Sequence, residues 1–446
     1  MKKLLPLLLL PIFSSTLFAA DPAASAVNNA DNTWMLVSSA LVLMMTAPGL
    51  TLFYGGLVRS KNVLATMMQS MFLMSAMSLL WFVCGYSLAF GDGNAFIGSL
   101  TQHLFLKGVG GTPNPDYAPT IPAQTFMLFQ MMFAIITPAL ITGAFAERIK
   151  FSAFLLLSVA WLPLVYCPLA HMVWGKGGYF NWALCGTVPV LDYAGGTVVH
   201  ISSGAAALVC AVVLGHRRGH LHDPMPPHNV VFSLIGTGLL WVGWFGFNAG
   251  SALNGGAAAT ATFCATHFAG ALGGLSWASY EWVEKGKPSV LGAASGMVAG
   301  LATITPASGF VSIPGAVLIG LVGGAGCYLS VTKLKAFFKY DDSLDVFGVH
   351  CMGSIIGMLL LGFLANGEVN PALLDTFKSG GLAVSLAGSA TQFFNQAKAV
   401  LFTGIYSGII TYVLLKVIDK LVGLRVDPED EHAGLDVSQH GENAYN

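Results

Sequence analysis

Long apolar runs broken by short polar stretches fill almost the whole chain. A helix needs about twenty mostly apolar residues to cross the hydrocarbon core of a bilayer, and eleven segments fit that description: 34–56, 63–90, 126–146, 151–173, 195–214, 230–251, 257–280, 291–306, 314–331, 345–364 and 400–421. Several are rich in glycine, as expected where helix backbones approach closely in lipid. Residues 1–20 differ from the rest. Lys2 and Lys3 precede the apolar stretch from Leu4 to Leu10, and small residues follow at Ala19, Ala20, Ala24 and Ala26. This is the pattern of a secretory signal peptide, too short to span, with a cut between about positions 19 and 26.

Charge in the breaks gives direction. Arg59 and Lys61, Arg148 and Lys150, Arg217 and Arg218, Lys285 and Lys287, and Lys333, Lys335 and Lys339 follow the first, third, fifth, seventh and ninth segments, and Lys416, Lys420 and Arg425 close the last. The other breaks hold only Lys107, Lys176 and Lys378, with Lys398 at the entrance to the final segment. The positive-inside rule therefore puts the mature N-terminus outside, in the periplasm, and the C-terminus in the cytoplasm of a multi-pass inner-membrane protein. An exported N-terminus is what a signal peptide delivers.

Composition narrows the function. The chain has 446 residues, 55% hydrophobic and 9% charged, against roughly 25% charged in a soluble domain. An ordinary soluble enzyme is excluded. Twenty Lys and Arg against twenty-one Asp and Glu leave a net charge of -1, so nucleic acid is not an expected partner. Seven cysteines lie without CxxC spacing, nearly all in apolar runs, and read as small buried hydrophobes.

VVHISSGAAALV around His200 and GVHCMGSIIGML around His350 suggest that segments 1–5 and 6–10 are two halves. With an odd number of crossings in each, the second half is inverted relative to the first, and a functional site is expected near the midplane. The fold class is therefore an all-α polytopic membrane protein of 11 transmembrane helices, an inverted 5+5 repeat plus one C-terminal helix. The membrane domain covers 34–422 and a cytoplasmic tail 423–446. Ionisable side chains at depth in lipid point to function. A neutral imidazole donates one hydrogen bond and accepts another, so His200 and His350 offer a polar track through an apolar pore. The plainer alternative is that each bonds a backbone carbonyl and packs. Counted from Gly195 and Asp345, each lies about 8 Å into its helix at helical rise, from opposite faces, so contact requires helices that begin earlier than these boundaries. His267 has no repeat partner and is expected to be a satisfied interior histidine. His171, in AHMVWGKGG, is expected at the interface.

Aromatic residues supply a second signal. Phe129 and Phe133 share one helix face, Trp244, Phe245 and Phe247 end the sixth segment, and Trp174 stands at the outer mouth. A cation that sheds water needs a ring face or a hydroxyl in exchange, which Trp174 and Ser251 can supply; the alternative is an aromatic belt. Asp192 and Asp345 near the starts of segments 5 and 10 read as structural caps, with recruitment of cations as the sharper reading for Asp192. Ser251 lacks a nucleophile motif and two histidines without a third ligand make a poor metal centre, so no enzyme activity, cofactor or metal is expected. The tail, with its DPEDEH run, is disordered by composition alone.

The stretches PGLTLFYGGLVRSKNVL, FQMMFAIITPALITGAFAERIKFSAF, LDYAGGTVVHISSG, GWFGFNAGSA, KPSVLGAASGMVAGLATITPASGF, DVFGVHCMG and VGLRVDPEDEHAGLDVSQHGENAY resemble the ammonium transporters of the Amt/Mep group, within the Amt/Rh superfamily, over essentially the whole mature chain. The resemblance implies a homotrimer with a pore in each subunit. It implies recruitment of ammonium, or methylammonium as an analogue, at Phe133, Trp174 and Ser251, and a gate of stacked rings at Phe133 and Phe247. It also implies paired histidines at His200 and His350, wall positions at Phe129 and Trp244, and a structural aspartate at Asp192. Met131 and Met132 depart from the smaller residues usual before the gate phenylalanine. The tail resembles that of members regulated by a PII-type protein, and is then expected to order from Gly423 onward against the cytoplasmic loops. An ammonium sensor that signals through tail and partner is the alternative to a transporter.

Overall fold

In lipid every backbone polar group must be answered internally, so apolar runs of this length become helices. The computed structural model describes residues 27–184, 186–374, 377–379, 382–384 and 386–445; the leader expected over 1–20 lies outside them. The helices are α1 (Asn29–Leu57), α2 (Ser60–Phe90), α3 (Ala123–Phe145), α4 (Phe151–Trp174), α5 (Gly196–Leu214), α6 (Val230–Gly250), α7 (Ala257–Lys285), α8 (Val290–Ile304), α9 (Ile313–Phe338), α10 (Phe347–Leu364) and α11 (Ala390–Val422). Each expected segment falls on one of them. Nine of these, among the described residues, are long and apolar enough to cross a membrane. The exceptions are α8, which is apolar but short, and α7, which is long but diluted by small and polar residues. Helix α11 starts at Ala390 rather than near residue 400, and two short hairpins, Pro113–Asn114 with Ala118–Pro122 and Phe377–Ser379 with Leu382–Val384, make the only described sheets.

Helices α7, α8 and α9 pack backbone to backbone. A Cβ on Gly273 would lie 2.6 Å from the Cα of Gly300, and one on Gly300 would collide with the carbonyl of Ala269. No larger residue fits either place. The same packing corrects the reading of His267. Small residues, Ala265, Ala269, Gly270 and Gly273, take the inward face of α7, which turns His267 onto the exposed face, its ring 5.4 Å from that of Trp241. Cys264 is exposed on that face too, contrary to the expectation for the cysteines. His171 moves the other way: it is fully buried, with Nδ1 3.0 Å from the Ala89 carbonyl and Nε2 2.8 Å from that of Asn94.

The AERIK turn after α3 forms a buried ionic knot. Glu147 accepts from the backbone and guanidinium of Arg59 (2.7 and 2.8 Å) and faces Arg217 at 3.6 Å. Arg217 also donates through Nε and Nη2 to Asp341 (3.0 and 2.9 Å). Burial raises the Asp341 carboxyl, but Arg217 and then Arg148 outweigh it and hold that group well below the usual range. Arg148, wholly buried, donates to the Asp341 carbonyl and the Ser343 hydroxyl at 2.6 and 2.7 Å.

The tail is ordered on this knot. The Val426 amide donates to the Arg148 carbonyl (3.1 Å) and the Lys150 amide to Leu424 (2.9 Å). Helix α12 (Pro428–Ala433) brings Glu431, 3% exposed, to the Arg425 guanidinium at 2.7 Å and the Arg218 amide at 2.7 Å. Asp436 accepts from the Ala65 amide at 2.8 Å, serving the first α-helical turn of α2, which follows the tighter turn Ser60–Asn62, and Asn62 accepts from Leu435 at 2.9 Å. Composition misleads here because two of the acidic groups, Glu431 and Asp436, are buried against partners that include Arg218 and Ala65, distant in sequence. Glu431→Ala leaves the Arg218 amide and the Arg425 guanidinium without their acceptor, at a cost of about 1–3 kcal/mol each at most. Limited proteolysis of the variant is expected to cut residues 424–445 roughly tenfold faster or more with the helical bundle unaffected; wild-type protection would show that the tail is held by other contacts.

Candidate functional site

Two helices begin inside the protein. Before α5, Leu191 and Asp192 are buried, and the Leu191 amide and carbonyl are met by Gln396 of α11 at 2.9 and 2.6 Å. Gly195, at φ +110°, turns the chain into a wide first turn in which the Val199 and His200 amides both bond the Gly195 carbonyl, at 2.9 and 3.1 Å. Such π turns are frequent at functional sites. Asp192 answers the open end, accepting from the amides of Gly195, Gly196 and Thr197 at 2.8, 2.6 and 2.7 Å and from the Thr197 hydroxyl. Burial pushes its carboxyl above the ordinary value, against the pull of those donors.

Helix α10 repeats this device with a different residue from the one expected. Asp345 pairs with Lys335 at 2.6 Å, and Asp342 caps the wide turn Phe347–Cys351, accepting from the Phe347 amide at 2.7 Å. Burial raises the Asp342 carboxyl to about 6, with Lys335 opposing and Asp345 adding to the rise. The spacing was available in the sequence: Asp192 stands eight residues before His200, and Asp342 eight before His350. Residue Asp345 breaks that register, which is why its assignment as a cap fails.

The histidines meet. His200 Nδ1 and His350 Nδ1 are 3.2 Å apart, and the rings lie nearly parallel with centroids 5.2 Å apart. Their helices begin at Gly196 and Phe347, no earlier than expected. Contact arises because both starts are carried into the interior on capped, non-helical backbone. One proton shared between the facing nitrogens satisfies both, since a neutral imidazole is donor at one nitrogen and acceptor at the other. His200 Nε2 is buried without a protein partner.

On one side of the pair lies a chamber of 260 Å³ lined by Phe126, Gln130, Phe133, Trp174 and Ser251, among others. The Ser251 hydroxyl donates to the Phe247 carbonyl (2.8 Å) and the Trp174 indole N–H to the Asp192 carbonyl (3.0 Å). What these groups leave for a guest is an oxygen lone pair and a π face, both suited to a cation with N–H donors. The floor is closed by Phe133 and Phe247, stacked with centroids 4.2 Å apart. Phe129 does not line the chamber. It packs behind Phe133 and against Gly250, while Phe126, Gln130 and Phe133 form the i, i+4, i+7 stripe that does. Met132 is buried and Met131 half-buried in α3, and neither faces the chamber. Gln130 was missed by sequence reading: its Oε1 is buried without a protein partner. A polar residue inside FQMMF was the available signal.

Below the phenyl pair, only 10 Å³ remains open between Leu50, Val199, Leu240, Phe247 and the imidazoles, at the lower limit for holding one water. Trp244 stacks on His200 at 5.5 Å and 19°. Phe245 leaves the path to stack on Phe263. Past His350 a second cavity of 150 Å³, bounded by Tyr54, Leu344 and Asp345, opens on the side of the tail.

Residues 33–445 match the family model described as Ammonium Transporter Family. The chain is 46% identical over 415 residues to an ammonium transporter of Bacillus subtilis strain 168, covering 93% of this chain and 98% of that one. It superposes on the crystal structure of Saccharomyces cerevisiae Mep2 with a TM-score of 0.82 and 34% identity, covering 92% of each chain. A structure described as a sensor Amt protein is similar at a TM-score of 0.82 and 26% identity, covering 92% of this chain and 98% of that one. With the family model spanning nearly its whole length, this multi-pass membrane protein belongs to the ammonium transporter family, a family of transporters rather than enzymes.

Proposed function

We propose that the chain carries ammonium nitrogen into the cell across the inner membrane, binding NH4+ at Phe133, Trp174 and Ser251 and passing it beyond the Phe133–Phe247 gate as neutral ammonia beside His200 and His350. The observation that carries this reading is the 10 Å³ apolar constriction joined to two imidazoles. An ion stripped of water there loses its hydration energy with nothing comparable in return, while ammonia loses little. Aromatic faces and the Ser251 oxygen stabilise the cation in the chamber, where water still reaches it. Among the residues lining the dry stretch the polar side-chain groups are the two imidazoles and the Trp244 indole N–H, which is already bonded to Thr305, and a relay of the released proton along the imidazole pair is part of the proposal.

The Trp174 chamber then faces the periplasm and the tail the cytoplasm, in keeping with the Lys and Arg distribution of the loops. Eleven crossings, removal of a leader, a homotrimer with one path per subunit and contact with membrane lipid complete the reading. The docked tail offers a surface beside the inner mouth for a PII-type regulatory protein. Sensing without flux is the competing reading; one structural neighbour is described as a sensor Amt protein, whereas the relatives of higher identity are named ammonium transporters.

Uptake of labelled methylammonium into vesicles holding the purified chain separates the two: saturable uptake competed by ammonium is expected, and its complete absence would favour a sensor. Phe133→Ala removes one ring of the stacked pair and is expected to admit water and hydrated cations, seen as potassium leak, in a protein that still folds. Intact selectivity together with a loss of stability of about 3–5 kcal/mol, the usual cost of emptying a buried phenylalanine site, would make Phe133 a packing residue. Replacing both His200 and His350 by leucine removes the polar track, and ammonium-driven flux is expected to fall on the order of tenfold or more. A folded double variant with unchanged flux and pH profile would refute the role of the pair.

A further inference from the structure

Helix α8 stops at Ile304, and its end, from Ala302 to Pro306, is held from three directions. The Ser354 hydroxyl of α10 donates to the Ala302 carbonyl at 2.9 Å. The Tyr193 amide, next to the cap of α5, donates to the Pro306 carbonyl at 3.0 Å. From α6 the Trp244 indole Nε1–H donates to the Thr305 hydroxyl at 2.9 Å. Thr305 is wholly buried, and its own hydroxyl proton goes to the Leu301 carbonyl at 2.8 Å. A hydroxyl has one proton, so the direction of the chain is fixed: Trp244 gives to Thr305, which gives to Leu301.

Trp244 is the ring on which His200 rests, and His200 in turn rests on His350. Leu50, Leu240 and Val298, which line the constriction with the indole, carry no acceptor for its N–H, and His200 meets the ring in a near-parallel stack. Turned away from Thr305, the indole would leave a buried donor unmade, a costly state. We propose that Thr305 is a positioning residue for the imidazole pair: by anchoring the Trp244 indole it fixes the surface against which His200 stacks, and through it the geometry of the dry path. Thr305 touches neither imidazole. Its functional consequence rests on the reading of that path as the ammonium route, whereas its structural consequence does not.

The test uses the full chain and four variants: Thr305→Val, which keeps the shape and removes the hydroxyl; Thr305→Ser, which keeps the hydroxyl; Trp244→Phe, which keeps a ring and removes the N–H; and the Thr305→Val, Trp244→Phe double variant. In vesicles, Thr305→Val is expected to lower ammonium-driven flux per molecule about three- to tenfold, the worth of one hydrogen bond, and to displace its pH profile. Thr305→Ser is expected to recover both, and Thr305→Val is expected to add nothing in the Trp244→Phe background. Wild-type flux and pH profile in Thr305→Val, or a full additional loss in the double variant, overturn the inference. Should Thr305→Val fail to fold, a Trp244→Phe variant with wild-type flux and pH profile overturns it as well. A structure of Thr305→Val, or of Trp244→Phe in its place, decides the matter independently of transport: the ring at 244 is expected to leave its near-parallel contact with His200, and an unchanged contact counts against the inference even if the wild type carries no ammonium at all.

Discussion

Two helices that start inside a membrane protein need their free backbone donors answered there, and the placement of the site depends on how that is done. Asp192 and Asp342 each cap a wide helical turn eight residues ahead of a histidine. A carboxylate in that place matches the open N–H groups and the positive end of the helix dipole together. The caps fix where α5 and α10 begin and therefore the angular phase of every residue after them. One residue of slippage would rotate each imidazole by about 100° and separate nitrogens that stand 3.2 Å apart.

Around this pair the protein grades its solvent from wet to dry and back. The Trp174 chamber presents lone pairs and π faces, the stacked phenyls shut it, and the stretch beyond holds almost no free volume. Electrostatic cost rises steeply along that order because each step removes water and replaces it with hydrocarbon. On the proposed route the two imidazoles suit that stretch because a neutral imidazole is polar without carrying a charge. Close packing of α7, α8 and α9 through Gly273 and Gly300 holds the wall from behind, so the end of α8 meets the Trp244 indole with little room to shift.

The tail face obeys the same rule with charges present. Glu147, Arg148 and Asp341 are buried and Arg217 is partly so, all bonded to one another or to carbonyls, and the tail closes over them through Val426 and Glu431. Losing one member leaves another buried and unpaired, which makes the knot a rigid platform. Asp345 and Leu344, at the edge of the second cavity, follow directly on Asp341 and Ser343 of that knot, so the knot under the tail and the second cavity share one piece of backbone.

The sequence by itself determined the helices, the paired histidines and the chemistry available to the site. Apolar length is a property of about twenty consecutive residues, and a repeated motif needs no partner to be seen. Tertiary structure decided what each residue faces. Phe129 yields the chamber wall to Gln130, Asp342 rather than Asp345 caps α10, His267 turns outward, His171 turns inward, and an acidic tail becomes ordered. Most of these outcomes depend on a group far away in the chain, Gly250 for Phe129, Ala89 for His171 and Arg218 for Glu431, and Asp345 is drawn off by Lys335, ten residues before it. Burial and hydrogen bonding belong to pairs of surfaces, and the sequence of one surface carries no record of the other until the chain has folded.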